Sequence, residues 1–218
     1  MQTLKRFVLV GAPASGKGTQ ARFLSETYQL ESLSTGALLR HEIAEDTELG
    51  RRASSFMERA MLVPDDIVNG IVRSWIENHR EACWLLDGYP RTVAQAETLE
   101  TNLEAAGLGL DVVVWLDVAR ELIEARMLRR RECPACGHIT RNGEETCPVC
   151  RAPMQKRSDD NAAAFALRWR DYEILTEPVV RYFQQNGLVV HVRVTEEGEP
   201  EEVSRRIAAA LREYAEKH

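Results

Sequence analysis

The segment Gly11-Ala12-Pro13-Ala14-Ser15-Gly16-Lys17-Gly18-Thr19-Gln20 holds the most specific chemistry in the sequence. The apolar run Phe7-Val8-Leu9-Val10 precedes it, and a helical pattern from Gln20 to Leu30 follows. Strand, glycine loop and helix in that order make a phosphate cradle. Loop N–H groups turn inward toward an anion, the helix N-terminus adds its positive end, and Lys17 reaches the terminal phosphates. Glycine is needed where a Cβ would hold backbone and phosphate apart. The usual pattern places a hydroxyl directly after the lysine; here Gly18 intervenes and Thr19 supplies it.

A second chemistry lies in Cys133-Pro134-Ala135-Cys136-Gly137 and Cys147-Pro148-Val149-Cys150. Two residues between ligands let a tight turn aim both sulfurs at one ion, and four thiolates match tetrahedral zinc in a closed structural site. Redox pairs or free thiols are the alternatives. With the shell filled by sulfur, His138 is not needed as a ligand. Zinc here would stiffen a segment too small for a core of its own. The remaining cysteine, Cys83, sits in an apolar run and reads as a buried strand residue.

Arginines gather around that module. Arg126, Arg129, Arg130 and Arg131 precede the first knuckle, Arg157 follows the second, and Arg168 lies on the next helical segment. Arg126 and Arg130 share a helix face at a spacing where like charges repel unless an anion lies between them. Salt bridges to Glu124 or Asp171 are the plainer alternative. In Ser158-Asp159-Asp160, one aspartate is expected to cap the helix that follows.

These groups need a frame. Strand-like runs occur at Arg6–Val10, Cys83–Leu86, Val112–Leu116 and Leu188–Val194, with a weaker one near Leu30–Leu33. Near-continuous apolar runs are characteristic of parallel strands covered on both faces. Helical patterns alternate with them at Ile67–Asn78, Val93–Ala105, Glu121–Arg130, Ala162–Gln185 (kinked or broken at Pro178) and Pro200–Lys217. The alternation predicts an α/β fold with a doubly wound parallel sheet. A helical insertion, 35–63, and the cysteine segment interrupt it. Both should project from the sheet's carboxyl edge, where ligands bind in such folds.

Composition narrows the class. There are 28 Lys and Arg against 34 Asp and Glu, a net charge of −6, which disfavours nucleic acid as partner. The apolar run near the N-terminus is too short for a signal peptide, and no stretch is long enough for a membrane span. A cytoplasmic protein without membrane association is expected.

With these segments in hand, the chain resembles the adenylate kinases over nearly its whole length. The resemblance rests on Gly11–Gln20, on Leu33-Ser34-Thr35-Gly36 through Arg40, and on Leu85-Leu86-Asp87-Gly88-Tyr89-Pro90-Arg91-Thr92 through Gln95. Arg126–Arg131, the cysteine insertion and Arg157 through Arg168 extend it. It implies a P-loop core (1–34, 64–125 and 162–218), a helical AMP-binding insertion (35–63) and a small zinc-bearing lid (126–161). It implies phosphoryl transfer from Mg-ATP to AMP, giving two ADP, by a monomer. It places ATP against Gly11, Ala14, Ser15, Gly16, Lys17, Gly18, Thr19, Arg126 and Arg130. It places AMP against Thr35, Arg40, Met61, Leu62, Val63, Gly88, Arg91 and Gln95. Arg157 and Arg168 then flank the transferring group, and Asp87 serves magnesium through water. Lys17, Arg91, Arg130, Arg157 and Arg168 would carry catalysis.

Four features depart from the family pattern. Ala37 stands where an aspartate usually follows Ser-Thr-Gly, shifting magnesium's water shell toward Asp87 and Thr19. Arg129 replaces a common glycine, and the segment between the knuckles is short. The stretch 197–199 matches too poorly for adenine contacts to be assigned by residue.

Overall fold

In the computed structural model, which describes residues 4–140, 143–156 and 161–218, five parallel strands form one sheet. They are β1 (Arg6–Gly11), β2 (Glu31–Ser34), β3 (Trp84–Asp87), β4 (Val112–Val118) and a last strand, Val189–Val194. From edge to edge the order is β2, β3, β1, β4, then the last strand. The first crossover runs to the far edge and later ones return past β1, so the strand order reverses beside β1. Ligands of such sheets bind at the carboxyl ends of strands near that reversal.

Alternation along β1 shows how both faces are buried. Phe7 and Leu9 join a core with Ile123, Phe165, Ile207 and Leu211; Val8 and Val10 join another with Val72, Leu99, Val179 and Phe183. The first core is covered by α1 (Lys17–Tyr28), α6 (Arg120–Arg129), α7 (Ala162–Asp171) and α9 (Pro200–Lys217). The second is covered by α4 (Asp65–Asn78), α5 (Val93–Ala105) and α8 (Glu177–Gln185). Each fully buried aliphatic or aromatic side chain contributes roughly 1.5–3 kcal/mol. The near-continuous apolar strands therefore require helices on both sides.

The structure departs from the sequence reading in local ways, each with a physical cause. Helix α1 starts at Lys17, because Gly16 adopts a left-handed conformation (φ 97°) that turns the loop straight into the helix. Cys83 is half-buried just before β3, so it is neither fully buried nor within the strand. Pro178 does not break the helical region. A π-helical turn, Tyr172–Thr176, joins α7 to α8, and the proline falls in the first turn of α8, where its missing N–H matters least. Asn161, rather than Asp159 or Asp160, caps α7: its Oδ1 accepts from the Ala164 N–H at 2.9 Å. The two aspartates lie outside the described residues.

Between β2 and α4, helices α2 (Thr35–Ala44) and α3 (Glu48–Glu58) pack on each other. Gly50 permits it. A Cβ there would lie 2.7 Å from the Ile43 nitrogen and closer still to the Glu42 carbonyl. Between α6 and α7, β5 (Arg131–Glu132) and β6 (Ile139–Thr140) form a small antiparallel ribbon beside the cysteines. Among the described residues its core contains only Cys133, Cys147 and Met154, with Ala152 against them.

Gly50→Ala should separate α2 from α3 and destabilise the protein by about 2 kcal/mol, in the range for overpacked sites. Denaturant unfolding tests this, and an unchanged midpoint would contradict the crossing.

Candidate active site

The glycine loop connects β1 to α1 at the sheet's carboxyl edge. Gly11 is constrained by the sheet as well as by any anion: a Cβ would lie 2.7 Å from the Leu116 carbonyl oxygen on the neighbouring strand. Ala14 takes a left-handed conformation (φ 58°), Ser15 is buried, and Gly18 and Thr19 reach the surface of the cavity beyond the loop. Lys17 folds back so that its Nζ donates to the carbonyls of Gly11 and Ala12, both at 2.7 Å.

The electrostatics around that ammonium define the site. Burial, opposed by the nearby Asp87 carboxylate and aided by the positive charges of Arg91, Arg130 and Arg168, pushes the Lys17 pKa down to about 8. Burial also lowers the Arg91 pKa; Arg168 pushes the same way, and Asp87 and Asp171 oppose. Cations drawn from the loop, β3's carboxyl end, α6 and α7 are thus held within electrostatic reach of one another. Asp87 closes β3 between its register partners Leu9 and Ser34 and is itself buried. Such an arrangement is poised for a polyanion.

These groups line a cavity of about 520 Å³. Its lining includes the loop with Arg126, Arg130 and Arg168, and also Thr35, Arg40, Gly88, Arg91 and Gln95, with Met61, Leu62 and Val63 supplying apolar surface. The structure therefore brings the expected nucleotide-site residues among the described ones to a single cavity, except Ser15, which is buried within the loop. Arg157 lies outside the described residues.

The part of the lining around Gly88 and Arg91 is tightly cross-braced. The Thr35 hydroxyl donates to the Gly88 carbonyl at 3.1 Å, and Arg91 Nε donates to the same oxygen at 2.8 Å. Gly88 has φ +82°, and a Cβ would meet Thr35 Oγ1 and an Arg91 nitrogen, each at 3.2 Å. Gln95 is buried; its Oε1 accepts from the Arg91 N–H at 2.7 Å, and its Nε2 donates to Asp65 at 2.7 Å. Tyr89 has an architectural part: its hydroxyl lies 2.7 Å from Asn69 Oδ1, and burial drives its pKa far above the ordinary tyrosine value. From the π-helical turn, the Thr176 hydroxyl donates to the Arg91 carbonyl at 3.1 Å.

Arg126 is only 4 % exposed. Its Nε meets the Glu197 carboxylate at 3.3 Å, one NH group reaches the Ser15 carbonyl at 3.4 Å, and Nη2 is buried with no hydrogen-bond partner among the described residues. Arg129 lies 3.9 Å from the same carboxylate. Glu197, rather than Glu124 or Asp171, therefore balances these two arginines. Arg130 closes α6 on the face of Arg126: its N–H donates to the Arg126 carbonyl at 3.0 Å, its extended ψ (136°) redirects only the chain beyond it, and both residues line the cavity. Asp65 and Glu197 were not singled out in the sequence. Asp65 had a signal in the Pro64-Asp65-Asp66 helix start, whereas nothing local marks Glu197.

In the cysteine module the four Sγ atoms lie within 4.8 Å of one another. Cys133 and Cys150 sulfurs are 3.4 Å apart, and those of Cys136 and Cys147 are 3.6 Å apart. Tetrahedral zinc with ~2.3 Å bonds needs sulfurs about 3.8 Å apart, so the set fits. The two knuckles repeat one backbone turn: Gly137 N–H donates to the Cys133 carbonyl and Arg151 N–H to that of Cys147, at 2.9 and 3.0 Å. Both residues are left-handed, with φ of 69° and 64°.

Known proteins agree with this architecture. A family model described as Adenylate kinase matches residues 9–188. An adenylate kinase of Clostridium kluyveri is 38% identical over 213 residues, covering 94% of this chain and 97% of the relative. One of Caldicellulosiruptor bescii is 40% identical over 194 residues (85% and 89%), and one of Streptomyces coelicolor is 38% identical over 215 (95% and 98%). The matches span the loop, the cross-braced lining and the cysteine module together, and the chain belongs to the adenylate kinase family.

Proposed function

We propose that the two groups of lining residues are donor and acceptor sites for reversible phosphoryl transfer from Mg-ATP to AMP, giving two ADP. The observation that carries this reading is the cluster of Lys17, Arg91, Arg130 and Arg168 near Asp87, in one cavity of about 520 Å³. The attacking oxygen of AMP is already anionic at neutral pH, so no side chain has to deprotonate it. The difficulty is bringing two highly charged molecules together, and catalysis reduces to positioning and charge neutralisation.

On this reading Lys17 leaves the Gly11 and Ala12 carbonyls to hold the ATP phosphates. Arg126 offers its buried Nη2 to ATP; Arg40 and Arg91 hold the AMP phosphate; Arg130, Arg168 and Arg157 surround the migrating group. Thr35, Gln95 and residues 61–63 enclose the adenine of AMP. Magnesium, when bound with ATP, draws charge from the phosphates. Thr19 is placed to hold it, and Asp87 to accept hydrogen bonds from its waters. The segment 126–161 acts as a lid that keeps water from the phosphates. Zinc on Cys133, Cys136, Cys147 and Cys150 would hold that lid as a rigid piece. No described helix is long and apolar enough to cross a membrane, and the negative charge suits a cytoplasmic monomer acting on small nucleotides.

Titration of Lys17 gives a direct test. Its pKa without ligand lies at about 8, below the ordinary 10.5, and a bound phosphate raises it again. Below pH 8 the lysine is charged with or without ligand. Above it, binding must take up a proton, and ATP affinity should fall by about tenfold per pH unit. Calorimetry at pH 9 in buffers of different ionisation enthalpy should show uptake approaching one proton; none would contradict the assignment. Arg91→Ala should raise KM for AMP at least tenfold with much less effect on ATP, and equal losses for both would overturn the acceptor site. Chelating the zinc should lower the melting temperature and reduce activity only as the lid loosens. Identical melting with and without metal would refute its structural part.

A further inference from the structure

Beyond these roles, we infer that Asp65 is a positioning residue that sets base selectivity at the acceptor site: it locks the amide of Gln95 in the one orientation that accepts adenine and rejects a 6-oxopurine. The inference rests on the reading above in which Gln95 adjoins the base of AMP. Gln95 is only 2% exposed and belongs to the cavity lining. Its Nε2 donates to Asp65 Oδ1 and its Oε1 accepts from the Arg91 N–H, both at 2.7 Å. Among the described residues these are the two hydrogen bonds of that amide.

The chemistry of the two partners fixes which end of the amide is which. A backbone N–H only donates, and a carboxylate only accepts. Turned end for end, the Gln95 amide would set its oxygen against the Asp65 carboxylate and its NH2 group against the Arg91 N–H. Two hydrogen bonds of a buried side chain would then be unmade. Asp65 is itself held. It is the first residue of α4, and its Oδ2 accepts from the Thr92 hydroxyl at 3.0 Å. That hydroxyl in turn accepts from the Gln95 N–H at 3.1 Å as the cap of α5. The Tyr89 hydroxyl lies 3.0 Å from the Gln95 carbonyl and steadies the backbone there. One carboxylate thus ties the starts of two helices to a side chain of the cavity.

That lock has a consequence for the base. Each amide atom keeps one further capacity: Oε1 can accept a second hydrogen bond, and Nε2 has a second N–H. Adenine offers a donor at N6 beside an acceptor at N1, whereas a 6-oxopurine offers an acceptor at O6 beside a donor at N1. A glutamine free to turn over serves either pattern, because its two ends exchange places. With the nucleotide phosphate held at Arg40 and Arg91, the base enters in one direction, and a locked amide accepts only one pattern. For AMP as acceptor that pattern is adenine's. Removing Asp65 takes away one of the two contacts that resist turning. Acceptance of the 6-oxopurine then rises and that of adenine falls, so both changes move selectivity the same way.

Initial rates with AMP and with inosine monophosphate as acceptors, at saturating Mg-ATP, test this. The two share sugar, phosphate and ring size and differ only in the N1 and C6 pattern. The native enzyme should favour AMP in kcat/KM by at least about a hundredfold, as expected where a polar group of the site would be left unpaired. Asp65→Ala should narrow that ratio about tenfold, with KM for ATP unchanged. Asp65→Asn keeps one carbonyl oxygen for Gln95 but has an amide that can itself turn, and should fall between; it decides the matter if the alanine variant does not fold. Melting temperatures establish which variants are folded. In a Gln95→Leu background, replacing Asp65 should leave the ratio unchanged, because the lock acts only through that amide. A native ratio in the folded Asp65 variants, equal losses for both acceptors, or the same narrowing with and without Gln95 would overturn the lock. If the native enzyme transfers nothing to AMP, the acceptor reading itself fails.

Discussion

The structure depends on mutual repulsion held in check. A lysine and several arginines occupy one end of the sheet, with Asp87 as the carboxylate set among them. Left alone, such charges would splay. They are held because each is anchored elsewhere: Lys17 on the loop carbonyls, Arg91 on Gly88, Arg126 on Glu197 and Ser15. Burial first, and then the neighbouring arginines, depress the Lys17 pKa against the pull of Asp87, and a bound polyanion favours the charged form again.

The fold serves that concentration of charge. Parallel strands deliver Gly11, Asp87 and Ser34 to one edge in register, and helices on both faces bury enough apolar surface to keep that edge rigid. The π-helical turn between α7 and α8 has the same purpose. It lets Arg168 and Thr176 approach the cavity from one helical segment and absorbs Pro178 without a break.

Local patterns in the sequence went far toward this picture. The order of strands and helices, the phosphate loop, the acceptor stretch from Asp87 to Gln95 and the cysteine knuckles all depend on neighbours along the chain. Contacts between distant segments were not legible. Glu197 meets Arg126 from 71 positions away, and Glu132 meets Arg40 across two insertions. A carboxylate in a charged loop looks the same whether it is solvated or paired. The sequence does not single out Asn161 as the cap from its acidic neighbours, because several residues there are chemically able to cap and only backbone conformation selects one.

The account turns on whether the two groups of residues lining the cavity receive the two ends of one reacting system. A crystal structure with two adenosines joined through five phosphates tests this most directly. One adenosine should lie beside Arg126 and the other beside Thr35 and Gln95, with Lys17, Arg91, Arg130 and Arg168 all contacting the bridging phosphates. A molecule that occupied the phosphate loop and left Arg40 and Arg91 without a phosphate contact would contradict it.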